Sequence, residues 1–132
     1  MIPKIKRFLL VDDDPINNLL TKIVIEKSFK KAHIHAFTMP EDGLAFIKSA
    51  PNNQPIEGKT ILFLDINMPV LSGWDCLEAF ELFDPSIKDN YNIYILSSSV
   101  DPKDINRAKE NPLIIDFIEK PLNRAKLADM FQ

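Results

Sequence analysis

The sequence predicts an α/β protein: a doubly wound, five-stranded parallel sheet with helices on both faces. Three observations carry this prediction. Short apolar runs alternate five times with segments of helical periodicity along the 132 residues. The runs are near-continuously apolar, as strands buried on both faces are. Helical segments open on Asp, Thr, Ser or Asn caps just after the runs. Strands that alternate with helices build a parallel sheet, and each crossover is expected to be right-handed.

FLLVD (8–12) is the first strand, and it stops at three aspartates. Asp14 is placed as an N-cap with Pro15 at the first helical position, and Ile16, Leu19, Leu20, Ile23 and Val24 recur on one helical face. HIHAF (33–37) is the second strand, and Thr38 with Glu41 forms a capping-box pattern for a helix to about Ala50. PNNQPIEGK (51–59) is the longest plausible loop. TILFLD (60–65) is the third strand, followed by a helix capped by Ser72 and Asp75 that carries Trp74, Leu77 and Phe80. NIYIL (92–96) is the fourth strand, and Asp101-Pro102 opens a helix to about Glu110. LIIDFIE (113–119) is the fifth strand, and Asn123 caps a last short helix to Phe131.

Composition bounds the function. At 45% hydrophobic and 27% charged, residues 1–132 read as one globular domain with one core. A net charge of −3 argues against a direct nucleic-acid footprint, and the KIKR at 4–7 is too short to reverse that. No apolar run approaches the ~18–20 residues that span a bilayer, so no membrane insertion is expected. The start, MIPKIKRFLLV, lacks a secretory pattern, and the single Cys76 excludes an intramolecular disulfide. Both fit a cytoplasmic protein, with Cys76 as a small packing residue.

The chemistry gathers where the strands end. In a parallel sheet all C-terminal strand ends share one edge, where open α/β sheets bind ligands. The first strand ends in Asp12-Asp13-Asp14, the third in Asp65 followed by Asn67, the fourth in Ser97-Ser98-Ser99 and the fifth in Glu119-Lys120-Pro121. Carboxylates packed together repel, and one takes up a proton unless a cation intervenes. A hard divalent cation suits such oxygens: Mg²⁺ first, with Mn²⁺ as an alternative. Asp13 and Asp65 are placed as carboxylate ligands, with Asp12 acting directly or through water. Lys120 adds a fixed positive charge. A cation, a lysine, a hydroxyl and a carboxylate together suit a phosphoryl group, and a carboxylate can itself be the nucleophile. Asp65 is therefore read as the residue that becomes phosphorylated. Asp14 is read as a cap alone. His33 and His35 share a strand face without an evident third ligand and are read as ordinary sheet histidines. Trp74 is placed at the rim of the site.

The segments FLLVDDDPINNLL, ILFLDINMPVLSGWDCL, YILSSS and FIEKPL, in this order and spacing, resemble the receiver domain of two-component response regulators. The resemblance runs from about Arg7 to Phe131. It implies a flavodoxin-like (βα)5 three-layer sandwich with strand order 2-1-3-4-5. It also implies that Asp12 and Asp13 organise Mg²⁺, that Asp65 is the phosphoacceptor and that Asn67 lends a backbone carbonyl to the metal. Ser97 matches the hydroxyl of the fourth strand, Lys120 the lysine before proline and Phe117 the switch aromatic. The partners implied are a histidine kinase or histidine-phosphotransfer protein as donor and an unknown downstream protein target. The target would read the face made by the fourth helix, fifth strand and fifth helix. Ser97 stands where Thr is commoner and Phe117 where Tyr is frequent, and the approach to the fifth strand, KENPLIIDF, lacks the Gly-Ala pair common there. A stand-alone, CheY-like receiver without an output domain is expected, or one cut from a hybrid kinase or longer regulator.

Two other functions compete. A small Mg²⁺-dependent aspartate-nucleophile phosphatase would want a second Asp two residues after the nucleophile, where this chain has Asn67. A phosphorylation-independent binding module would keep its partner after Asp65→Asn. The first reading stands ahead of both: a phosphoacceptor switch that catalyses only its own phosphorylation and dephosphorylation, and no enzyme in the wider sense.

Overall fold

The structure, a computed structural model, describes residues 6–49 and 58–131. In chain order the elements are β1 (Lys6–Val11), α1 (Pro15–Ser28), β2 (Ala32–Phe37), α2 (Pro40–Ser49), β3 (Thr60–Leu64), α3 (Gly73–Glu81), α4 (Pro85–Lys88), β4 (Tyr91–Ser97), α5 (Pro102–Glu110), β5 (Ile114–Glu119) and α6 (Arg124–Asp129). The five strands form one sheet in the order β2-β1-β3-β4-β5, all pairs parallel. This is the expected flavodoxin-like topology. Most of the predicted loop 51–59, and the predicted helix end at Ala50, lie outside the described residues.

Alternation along each strand divides the core into two layers. Leu9, Val11, Leu62, Leu64, Ile93 and Ile95 face one side and pack with Ile47 of α2, Leu77 and Phe80 of α3 and Ala108 of α5. Phe8, Leu10, Ile61, Phe63, Tyr94 and Leu96 face the other and pack with Ile25 of α1 and Leu127 of α6. Helices thus cover both faces. The aspartates follow the C-terminal ends of β3, the central strand, and of its neighbour β1.

The helix caps explain where helices begin. Asp14 accepts the N–H of Ile16 at 2.9 Å, Ser72 and Asp75 form a reciprocal capping box, and Asp101 and Asn123 cap α5 and α6. Helix α2 starts one residue later than the Thr38–Glu41 spacing predicts. Pro40, with its fixed φ and missing N–H, takes the first helical position, and the Met39 carbonyl accepts from Asp42 and Gly43. The one-turn α4 was not predicted, although Asp84-Pro85 carries the same signal as Asp14-Pro15.

Helix α1 corrects the periodicity reading. Ile16, Leu19, Leu20 and Ile23 are 67%, 56%, 53% and 39% exposed, and the helix buries Asn18, Thr21 and Ile25 instead. The cause is polar anchoring. The Asn18 carboxamide donates to the Asp12 carbonyl at 3.1 Å and the Phe37 carbonyl at 3.4 Å, which fixes the rotation of α1 about its axis. Val24 alone of the predicted apolar face packs against the core.

Candidate functional site

Backbone ladders set the site. Asp12 N–H donates to Phe37 O at 3.1 Å, Asp65 N–H to Val11 O at 2.9 Å and Lys120 N–H to Ser97 O at 2.8 Å. Asp12, Asp65 and Lys120 therefore each sit one step past a strand end and are held in register with a neighbouring strand. Asp12 and Asp65 are buried and Asp13 is exposed. One carboxylate oxygen from each of the three lies within 4.8 Å of the others.

Each buried carboxylate has distinct partners. Asp12 Oδ1 accepts the N–H of Asp14 at 2.9 Å. Asp12 Oδ2 accepts from Asn17 Nδ2 at 2.6 Å and lies 2.7 Å from Lys120 Nζ. Asp65 Oδ1 accepts the N–H of Asn67 at 3.1 Å, and its Oδ2 is 3.6 Å from Lys120 Nζ. Burial pushes the Asp65 carboxyl up to about 6. The Asn67 N–H pulls it down, Asp12 raises it, Lys120 lowers it and Asp13 raises it. One ammonium reaches two of the three clustered carboxylates, and the donors are all hard oxygens. That donor set fits a divalent cation of the Mg²⁺ or Mn²⁺ type, whose charge would offset the repulsion that Asp12 and Asp13 add to the effect of burial on Asp65.

The remaining predicted residues divide. Ser97 is fully buried at the end of β4, where its Oγ accepts the N–H of Ser99 at 3.1 Å. The Asn67 side chain is exposed, and its backbone N–H is what reaches Asp65. Phe117 is half-buried on β5, packs against the core layer that holds Ile95 and Ala108, and lines grooves on both sides of the strand. His33 is exposed and His35 lies 4.5 Å from the Phe46 ring. Among the described residues no third metal-type ligand joins these histidines. Cys76 is a free, buried core residue whose thiol is pushed up to about 11 by burial.

Three residues near the site escaped the sequence reading. Asn17 and Asn18 grip the side chain and main chain of Asp12 from the first turns of α1. Their signal was two carboxamides in a helix otherwise apolar at that point. Gly73 is the third. A Cβ there would meet Asp65 O at 2.5 Å and Ile66 Cα at 2.7 Å, both backbone atoms. Only glycine lets α3 start this close to the Asp65 loop, and Gly73 N–H uses the approach to donate to Ile66 O at 3.1 Å. Beyond Gly73, Trp74 Nε1 donates to Asp104 Oδ1 at 3.2 Å while the Arg107 guanidinium lies 4.4 Å from the ring centroid. The indole thus ties α3 to α5.

Comparison with known proteins agrees with this geometry. Residues 8–132 match the response regulator receiver domain family. A stress response regulator protein of Meyerozyma guilliermondii is 44% identical over 68 residues, which is 51% of this chain and 28% of that protein. A two-component response regulator of Oryza sativa subsp. japonica is 27% identical over 122 residues, 89% of this chain and 50% of that protein. The chain therefore spans half or less of the length of these curated relatives. Among solved structures, a two-component response regulator from Cytophaga hutchinsonii superposes with a TM-score of 0.83 at 28% identity, covering 98% of this chain and 96% of that one. Among the described residues no helix is long and apolar enough to cross a membrane.

Proposed function

Because this chain belongs to the response regulator receiver domain family, we propose that it is the phosphoacceptor module of a two-component or phosphorelay system, with Asp65 as the acceptor. The observation that carries this reading is the placement of Asp65: a buried carboxylate within reach of Asp12, Asp13 and Lys120 at the C-terminal edge of the sheet.

The donor is a phosphohistidine on a histidine kinase or histidine-phosphotransfer protein. A carboxylate oxygen of Asp65 attacks phosphorus, and the phosphorus–nitrogen bond breaks. Its electron pair stays on the imidazole, and an acyl phosphate forms on Asp65. Asp12, Asp13, Asp65 and the Asn67 backbone carbonyl would hold Mg²⁺, which when bound supplies charge compensation for the phosphoryl oxygens. Lys120 contributes the protein's own positive charge to those oxygens. Ser97 moves its hydroxyl from the Ser99 N–H to a phosphoryl oxygen, and Phe117 turns inward behind it. The face of α5, β5 and α6 then changes for a downstream protein target, as a two-state equilibrium biased by one new charged group. The protein catalyses only its own phosphorylation and dephosphorylation. The phosphatase alternative lacks a general acid, since Asn67 stands at that position.

The test is incubation with acetyl phosphate and Mg²⁺ followed by intact mass measurement. One added phosphoryl group, lost in Asp65→Asn and without metal, is expected. An adduct that persists in Asp65→Asn would overturn the assignment.

A further inference from the structure

We propose that Asn17 is a positioning residue for the metal site: its carboxamide holds the Asp12 carboxylate in the orientation a cation needs. The proposal rests on the phosphoacceptor reading and deepens it.

Three contacts argue for this. The single atom Asp12 Oδ2 takes both Asn17 Nδ2 at 2.6 Å and Lys120 Nζ at 2.7 Å, and Oδ1 takes the Asp14 N–H at 2.9 Å. A lysine ends a flexible four-carbon stem and does not by itself fix the plane of a carboxylate. Asn17 is short and stands in the first turn of α1, and that turn is itself anchored. Its neighbour Asn18 is buried and donates to the Asp12 carbonyl at 3.1 Å. The first turns of α1 therefore hold both ends of Asp12.

The choice of a carboxamide follows from charge. An arginine fork would also orient Asp12 but would cancel the negative charge that attracts a cation. An amide N–H orients the carboxylate and leaves that charge in place. A carboxylate has about four lone-pair sites, and three donors already reach Asp12. Asp12 thus has about one site left, while Asp13 and Asp65 carry the more open oxygens. Asp12 would hold the cation directly or through water, and Asn17, which orients it, is the outer partner; such partners typically change metal affinity by ~10–100-fold when removed.

The experiment is calorimetric titration of the whole chain with Mg²⁺, using wild type, Asn17→Ala and Asn17→Leu, with thermal melts in chelator alongside. Asn17 is half-exposed and alanine favours a helix, so the fold is expected to persist. Asn17→Leu keeps the branched side-chain shape without the donor and repeats the measurement independently. We expect both variants to bind Mg²⁺ about 10-fold more weakly, with a smaller Mg²⁺-induced rise in melting temperature. A folded variant that binds within about twofold of wild type would overturn the proposal. Wild type that binds no Mg²⁺ would instead contradict the phosphoacceptor reading itself, so the two failures are distinct.

Discussion

Lys120 Nζ lies 2.7 Å from Asp12 Oδ2, closer than its 3.6 Å to Asp65 Oδ2, so Asp12 is the nearer partner of the ammonium at this site. A cation and Lys120 therefore compete for the same carboxylates. Replacing Lys120 by Met removes that competitor. Like-charge repulsion of order 1 kcal/mol or more disappears, and Mg²⁺ affinity is expected to rise at least about fivefold. The same variant loses the protein's positive charge on the phosphoryl group, so phosphorylation by acetyl phosphate at saturating Mg²⁺ is expected to slow about 10-fold or more. Calorimetry and a mass time course check the two opposite signs.

The raised carboxyl of Asp65 makes stability depend on pH. In the folded chain Asp65 holds its proton up to about 6, against 3.8 for an ordinary aspartate, mainly because it is buried. Between those values the folded state binds more protons than the unfolded one. The contribution of Asp65 to folding is therefore full below about 3.8 and is lost as pH rises through about 6. In chelator, the stability gain from Asp65→Asn over wild type should be small near pH 4. It should grow to a plateau above pH 6, at most about 3 kcal/mol. Urea unfolding across that range measures it, and Mg²⁺ should return stability to wild type at neutral pH.

Gly73 is expected to be intolerant for a steric reason. Its Cβ would stand 2.5 Å from the Asp65 backbone oxygen and 2.7 Å from Ile66 Cα, so no side-chain rotation relieves the two closest contacts. Gly73→Ala should cost about 1–3 kcal/mol and also slow Asp65 phosphorylation at saturating Mg²⁺. A variant that loses stability but phosphorylates at the wild-type rate would show that the shift falls on α3 alone.

The two faces of α1 give a direct contrast. Ile25 is fully buried, and Ile25→Ala should cost about 2–5 kcal/mol. Leu19 is 56% exposed, and Leu19→Ala should stay within about 0.5 kcal/mol. Chemical denaturation of the two variants settles which face carries the packing.

That contrast marks what was legible in the chain. The carboxylates and Lys120 could be found because a parallel sheet puts all its strand ends on one edge, so topology alone brings Asp12, Asp65 and Lys120 together. Caps were legible because they are local: Asp14, Ser72, Asp101 and Asn123 act on backbone groups two or three residues away. The roles of Asn18, Asn17 and Gly73 were not, because each depends on what a helix meets across the fold. Helical periodicity located α1 but not its buried face. Asn18 bridges two strand ends and turns Leu19 and Leu20 to solvent. The start of α2 moved by one residue because Pro40 has no N–H to give, which outweighed the Thr38–Glu41 spacing.

The central claim is that Asp65, and no other carboxylate of the cluster, carries the phosphoryl group. Borohydride reduction of the phosphorylated protein, followed by peptide mass mapping, tests it most directly, because reduction converts an aspartyl phosphate to homoserine. The account predicts homoserine at position 65 alone, formed only when Mg²⁺ was present during phosphorylation. Homoserine at position 12 or 13, or at 65 irrespective of metal, would contradict it.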